Sequence, residues 1–204
     1  MISKLRELEE LGIKVVLATG NILCIAKAAS IFMGATGPII AENGGVVMNR
    51  ETDEIRYVGN IDEIEKAFRH LSKKLKVAKV SSSEMRRTEI AIYRDVEVER
   101  LRDVLRGFPV SIVDTKFAIH VKDPMVNKGR ALAMVADMLG ISLDDVVAIG
   151  DSEGDREMIE VAGYGISVGE ESLRGVCDYI TKGKYGEGGS EALEIVLKMV
   201  REER

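Results

Sequence analysis

The run Val146-Val147-Ala148-Ile149-Gly150-Asp151-Ser152-Glu153-Gly154-Asp155 decides the fold. It is aliphatic and rich in β-branched residues, stops at a glycine, and hands over to two carboxylates four residues apart. A strand covered on both faces of a parallel sheet reads this way. Arg156 to Ala162 follows, with Met158, Ile159 and Ala162 at helical spacing, so Asp155 falls at or near a helix start and Asp151 in the turn before it. Both carboxylates can then face one point above the strand end. A hard divalent cation such as Mg2+ takes oxygen ligands and keeps several waters, so one or two carboxylates plus a substrate phosphate suffice to hold it. Helix capping also favours aspartate here, though capping alone needs only one of the two.

Outward from that run the chain alternates strand and helix. A helix carries Ile2, Leu5, Leu8 and Leu11 on one face and ends at Gly12; Ile13 to Ala18 is an aliphatic strand. Thr19-Gly20-Asn21 leads into a second helix, whose expected buried stripe is Ile22, Ile25, Ala26, Ala29 and Phe32. Strand, small polar turn and helix form half of a βαβ unit. Ile39 to Ala41 is a short strand, Asn43-Gly44-Gly45 a turn, and Val46 to Met48 with Arg56 to Val58 a strand pair. From about Glu51 the texture changes. A helix from Ile61 to Leu75, a strand from Thr88 to Tyr93, a helix from Val96 to Arg106, and strands near Val110 to Val113 and Phe117 to Val121 suggest an α+β module with one solvated sheet face.

After Asp123-Pro124 the first texture returns: a helix from Lys128 to Leu139, the opening run, strands Gly165 to Val168 and Tyr179-Ile180, and a final helix from Gly189 to Arg201. The expected architecture is α/β, a doubly wound, mostly parallel core over 1–50 and 123–204 with an α+β cap inserted at 51–122.

Composition narrows the function. The 204 residues carry a net charge of −5 and no basic, aromatic-interleaved face, which argues against nucleic acid as a partner. No apolar run approaches the roughly 20 residues of a membrane span, and the amino terminus lacks the order of a signal peptide, so a cytoplasmic protein without a membrane partner is expected. Cys24 and Cys177 read as buried structural thiols in a reducing compartment. Abundant charge and the absence of glutamine are compatible with a thermophilic source. A dinucleotide site is disfavoured, since no Gly-x-Gly-x-x-Gly follows a strand. The assembly is open between a monomer and a homodimer.

Open α/β sheets bind ligands at their strand ends, and three features should meet there. Thr19 and the Gly20 amide open a helix and offer donors to an anion. Lys128 stands at another helix start, where its charge opposes the dipole by about 0.3–1 kcal/mol unless an anion lies between them. Asp151 and Asp155 supply the third corner. A hydroxyl, a lysine and a metal around one point suit phosphoryl chemistry, in which positioning and charge neutralisation carry most of the catalysis. Arg86-Arg87 could reach a substrate carboxylate by bidentate pairing, with a solvated surface as the plain alternative. His120 reads as a cap or hinge residue, and His70 as exposed.

These residues resemble a known family. Leu17-Ala18-Thr19-Gly20-Asn21, Asn127-Lys128-Gly129 and Gly150-Asp151-Ser152-Glu153-Gly154-Asp155 resemble, in order and spacing, the second, third and fourth motifs of the haloacid dehalogenase superfamily. Gly37 to Gly45, Phe117 to Val121 and Tyr185 to Gly189 are similar to its archaeal-type phosphoglycolate phosphatases. The resemblance implies that Thr19, with Gly20, binds the transferring phosphoryl group, that Lys128 neutralises it, and that Asp151 and Asp155 hold Mg2+ directly or through water. By it the catalytic residues would be Thr19 and Lys128; apart from it, Arg87 of the Arg86-Arg87 pair is the candidate substrate contact in the cap. Gly154 departs from the family's usual asparagine.

The superfamily's first motif, an Asp-x-Asp-Gly-Thr turn that supplies the phosphorylated aspartate and the general acid and base, has no counterpart: no aspartate precedes Asp53. Either the sequence is a shortened reading or catalysis has been lost; the resemblance places that motif's strand between those ending at Ala18 and Ile149, so the 204-residue chain is expected to have a split or collapsed sheet, to be poorly soluble or partly unfolded, and to show no turnover. The expected function is Mg2+-dependent hydrolysis of a small phosphorylated acid, 2-phosphoglycolate foremost, through an aspartyl-phosphate. The alternatives are a sugar-phosphate or phosphoglycerate-type phosphatase and a phosphate- or metabolite-binding relative without turnover.

Overall fold

The computed structural model describes residues 1–115 and 117–202; Lys116 of the expected cap and residues 203–204 of the expected core lie outside the described residues. In chain order the elements are α1 (Ile2–Glu10), β1 (Leu17–Ala18), α2 (Leu23–Met33), β2 (Ile39–Ala41), β3 (Val46–Met48), β4 (Ile55–Tyr57), α3 (Ile61–Lys74), β5 (Glu89–Ile92), α4 (Val98–Val104), β6 (Ser111–Asp114), β7 (Ile119–Lys122), α5 (Lys128–Leu139), β8 (Val147–Gly150), α6 (Arg156–Val161), β9 (Tyr164–Ser167), β10 (Tyr179–Ile180) and α7 (Tyr185–Glu202).

The core holds two sheets. One has the order β1-β2-β3-β4, with β1 and β2 parallel and the rest antiparallel; the other, β10-β9-β8, is wholly parallel. β1 and β8 are edge strands of different sheets, and no strand lies between them among the described residues. β1 is shorter than the expected strand from Ile13. Helices cover both sides. Ala131, Leu132 and Val135 of α5 pack with Ile40 and Val47 of one sheet and Ala148 of the other, together with Met158 and Ile159 of α6. Leu8 of α1 and Leu193, Val196 and Leu197 of α7 cover Ile166 on the other side. Each fully buried valine, leucine or isoleucine of these contributes about 1.5–3 kcal/mol, so α5 binds the two sheets together without a shared ladder.

The α2 stripe differs from expectation. Ile22, Ala26 and Ser30 are buried, whereas Ile25 is 49% and Phe32 75% exposed. The helix approaches Ile39 and Ala41 closely, a contact that small side chains permit and large ones do not. Cys24 is exposed and Cys177 partly so, against the buried thiols expected.

The inserted module is a three-stranded antiparallel sheet, β5-β7-β6, backed by α3 and α4 through Ile64, Leu71, Ile92, Leu101, Ile119 and Val121. Asn60 caps α3, its side chain accepting from the amides of Asp62 (3.1 Å) and Glu63 (3.4 Å). The boundary expected at Glu51 moves: β4 belongs to the core sheet, and the chain leaves it near Gly59-Asn60. There the Asn60 amide donates to Asp123 Oδ2 at 2.9 Å, which ties together the two crossings between core and cap.

Candidate active site

β8 ends at Gly150, where nothing larger fits: a Cβ there would lie 2.4 Å from that of Asp155. Residues 153–155 then turn once and run into α6. Asp155 folds back over the turn. Its Oδ2 accepts from the Asp151 amide (3.1 Å), the Ser152 amide (3.1 Å) and the Ser152 hydroxyl (2.9 Å), a reciprocal capping arrangement. Its Oδ1 takes the Lys128 ammonium at 2.5 Å, and both side chains are nearly fully buried.

Lys128 is the first residue of α5, whose cap is Asn127 accepting from the Arg130 amide at 2.8 Å. A lysine at this pole is disfavoured by the helix dipole. The anion that offsets it is the chain's own Asp155. The aspartates expected to face one point thus part company: Asp155 is enclosed with both oxygens engaged, while Asp151 is exposed and its carboxylate has no partner among the described residues. No group of three potential metal-ligating side chains occurs among the described residues. Arg156 points away, paired with Glu153 and donating to the Ser172 carbonyl.

The Thr19 turn is held by backbone bonds. The Thr19 amide donates to the Ile40 carbonyl (2.9 Å), its carbonyl accepts from the Asn43 amide (3.1 Å), and its hydroxyl accepts from the Asn21 amide (3.1 Å). Glu42 closes the set, its amide donating to the Asn21 carbonyl at 2.9 Å. The Glu42-Asn43-Gly44 turn therefore lies against the Thr19 turn, with all three residues at positive φ. Gly44 is required twice over: its φ is +101°, and a Cβ would meet the Asn127 carbonyl oxygen at 2.2 Å. One turn thus touches both the Thr19 loop and the start of the Lys128 helix.

The same turn grips the cap. Glu42, 1% exposed, accepts from the amides of Arg87 and Thr88 and, at 2.7 Å, from the Thr88 hydroxyl. Asn43 Nδ2 donates to Glu89 Oε2 at 3.0 Å. Glu89 Oε1 meets the Arg86 guanidinium and, at 2.9 Å, His120 Nδ1. Arg86 Nη1 also donates to the Gly20 carbonyl at 2.9 Å. Burial alone would raise the Glu89 carboxyl, but the hydrogen bond and charge of His120, then Arg86 and Asn43, outweigh it and hold it below the usual carboxylate range. Lys122, opposite Glu89 across the β5–β7 ladder, donates to the Val126 carbonyl. Burial keeps its ammonium below the ordinary lysine value, against the pull of Glu89, Glu157 and Asp123.

The cap face expected to be solvated is therefore buried at Glu89, His120 and Lys122. Core residues reach it through Asn43 and Val126, and Glu89, His120 and Lys122 each have a partner. Arg87 has an exposed side chain that borders an apolar cavity of about 300 Å3 with Lys27, Met48, Tyr57 and Met85, whereas Arg86 is the one bonded to the Gly20 carbonyl. A larger cavity of about 550 Å3 along β10 shares no residue with this cluster. His70 is half-buried against Phe108, with ring centroids 5.1 Å apart, rather than free in solvent. Sequence reasoning missed Glu42, Asn43 and Glu89. A signal for Glu42 existed, since Ile39-Ile40-Ala41 hands over to an acid just as Val146 to Ile149 does.

The chain matches the haloacid dehalogenase-like hydrolases over residues 1–104 and 98–193, and it belongs to that family. Among curated relatives, a protein of Methanothermobacter thermautotrophicus named phosphoglycolate phosphatase is 46% identical over 194 residues, spanning 94% of this chain and 87% of the relative. One of the same name from Methanopyrus kandleri is 41% identical over 204 residues, spanning 96% and 88%. A solved Thermoplasma acidophilum structure superposes with a TM-score of 0.87 at 22% identity, covering 98% of this chain and 88% of its own. A haloacid dehalogenase-like hydrolase from Bacteroides thetaiotaomicron gives 0.77 at 20% identity, covering 96% and 91%. At these identities the two structures bear on the fold alone, and they share the α/β architecture. No helix among the described residues is long and apolar enough to cross a membrane.

Proposed function

We propose that this chain binds and orients the phosphoryl group in a Mg2+-dependent phosphomonoesterase for small phosphorylated acids, 2-phosphoglycolate foremost. The observation that carries the reading is the buried Lys128–Asp155 pair at the start of α5, joined through the Glu42–Gly44 turn to the Thr19 loop. Lys128 has three donors and uses one on Asp155, which leaves two for phosphoryl oxygens. The Thr19 hydroxyl accepts from Asn21, so its own proton is available to the same group. Asp155 locks the lysine in place; Asp151 is the carboxylate available to a cation. One free carboxylate suits an ion that keeps most of its waters, and Mg2+, when bound, would neutralise charge on the phosphoryl oxygens.

The attacking carboxylate that the resemblance assigns to the first motif has no counterpart among the described residues, so hydrolysis through an aspartyl-phosphate depends on that motif. The names of the archaeal relatives support the substrate class. The test is an initial-rate panel of phosphate esters with and without Mg2+, run on the 204-residue chain and on the same chain preceded by a strand and an Asp-x-Asp turn. The expected result is Mg2+-dependent release of phosphate from 2-phosphoglycolate by the extended chain and binding without turnover by the shorter one. A sugar phosphate consumed faster, or no turnover by either form, would displace the reading.

A further inference from the structure

We propose that this protein forms a two-fold symmetric dimer through the outer face of α2, with the helices of two copies packed antiparallel and crossing at Ala28.

The inner side of α2 sets Leu23 and Ala26 against β2 and β3. Its exposed residues are Cys24, Ile25, Ala28, Ile31 and Phe32, all uncharged, and their spacings of three and four line them up in one stripe. α3 shows how a solvated helix of this chain is written: there Asp62, Glu65, Lys66, Arg69, Lys73 and Lys74 face water. α2 carries a single charge, Lys27, which is partly buried and paired with Asp53 at 3.2 Å. A helix apolar on every side belongs in an interior, and a contiguous apolar stripe on a surface marks a contact with another body.

Three features fit that body to a second copy of this chain. The stripe reads alike from both ends: Ile25 and Cys24 stand three and four residues before Ala28, and Ile31 and Phe32 three and four after it. Residues seven apart share a flank of a helix, so Ile25 and Phe32 lie on one side of the stripe and Cys24 and Ile31 on the other. Rotation about a two-fold axis at Ala28 then sets Phe32 of each copy against Ile25 of the other, and Ile31 against Cys24, the reciprocity of an isologous interface. The second feature is size. Alanine at the centre lets the two backbones approach closely, while the larger side chains on either side fill the space where the helices diverge. The third is charge: the stripe has none, so two copies meet without opposed like charges. A helix that lies on a membrane has a polar face rich in lysine and arginine, whereas the inner face of α2 is packed on a sheet. A helix pair alone falls short of the roughly 800 Å2 per partner of a stable interface. The apolar surface continues, however, from Cys24 onto the cavity bordered by the exposed Tyr57 and Met85.

The experiment is sedimentation velocity of the 204-residue chain over a dilution series, with Phe32→Glu and Ile25→Glu alongside and circular dichroism to confirm the fold. The expected result is a dimer that dissociates between about 1 and 100 μM, and at least a 100-fold weakening in either variant, because a carboxylate would be desolvated against an apolar partner. The thermal midpoint should rise with protein concentration in wild type and stay fixed in both variants. The register has its own test, Ala28→Cys in a Cys24→Ala background under mild oxidation. At an interaxial distance of about 8–10 Å the two Ala28 Cα atoms lie roughly 4–5 Å apart, within disulfide reach. That variant should therefore link into a covalent dimer, while Lys73→Cys in the same background, exposed on the cap, should not. A wild type that is monomeric up to about 300 μM would overturn the proposal. Association that the glutamates do not reverse, including open-ended aggregation, would place the contact elsewhere and overturn it too. A dimer lost in both glutamate variants but never linked through Ala28→Cys would overturn the antiparallel arrangement.

Discussion

Cutting the Lys128–Asp155 pair from one side or the other should give very different results. In Asp155→Ala the largely buried ammonium loses the carboxylate it is bonded to. Breaking a buried pair in that way costs about 3–5 kcal/mol, and loss of the cap to the Asp151 and Ser152 amides adds about 1 kcal/mol. In Lys128→Met the carboxylate keeps its three donors, the two amides and the Ser152 hydroxyl. Only one charge-assisted bond is lost, about 1.5–3 kcal/mol, and methionine fills much of the lysine's volume. Urea denaturation followed by circular dichroism should therefore rank Asp155→Ala well below Lys128→Met, with the m-value unchanged. Against a total of about 5–15 kcal/mol the first loss approaches unfolding. The double variant should be more stable than the sum of the two changes implies, because the second removes the orphan left by the first. Equal losses in the two single variants would refute this account of the pair. Phosphate affinity should follow the opposite order among variants that fold: Lys128→Met loses the two donors argued to face the ligand.

Three further outcomes are expected. Asp151→Asn should weaken Mg2+ binding strongly in calorimetry while moving the thermal midpoint little, because its carboxylate has no partner to lose among the described residues; an unchanged Mg2+ affinity would remove the metal assignment. Glu42→Ala should destabilise by about 3–6 kcal/mol, since the amides of Arg87 and Thr88 and the Thr88 hydroxyl all lose their acceptor; a loss under about 1 kcal/mol in urea would show that water replaces it. Glu89 is held below the usual carboxylate range in the folded state, so its contribution is complete above that range and is lost as pH falls through its depressed value. Thermal midpoints below about pH 4.3 should thus fall more steeply in wild type than in Glu89→Gln, and parallel slopes would count against it.

Much of the core was legible because its signals are local. An aliphatic run that ends at a glycine and an acid marks β8 and its turn whatever the rest of the chain does. The start of α5 was set by Asn127 and its end by Gly140, whose φ is +67°, and both are written in single residues. The stripe of α2 went wrong for a different reason. Hydrophobicity picked out Ile25 and Phe32, but close approach of the helix to β2 selects small side chains, and size at an interface cannot be read until the opposing surface is known.

The seam between cap and core was hidden for the same reason. Along β5 and β7 the apolar residues Ile90, Ile92, Ile119 and Val121 alternate with Glu89, Ala91, His120 and Lys122, and that alternation is equally the pattern of a sheet with one wet face. What separates the two cases is a second body lying on the polar side, brought there by a turn some forty residues earlier in the chain. The type of residue still held a clue. A surface strand has no need of an acid, a histidine and a lysine on one side of adjacent strands, whereas a buried face that must hold an arginine in one orientation needs that kind of charge-matched set. Glu42 makes the point from the other side. It follows an aliphatic strand just as Asp151 does, but it lacks a second carboxylate four residues on, so it does not look like a metal site. Its work is to fix a neighbouring body, and a single acid at a strand end is compatible with either role until the partner is seen.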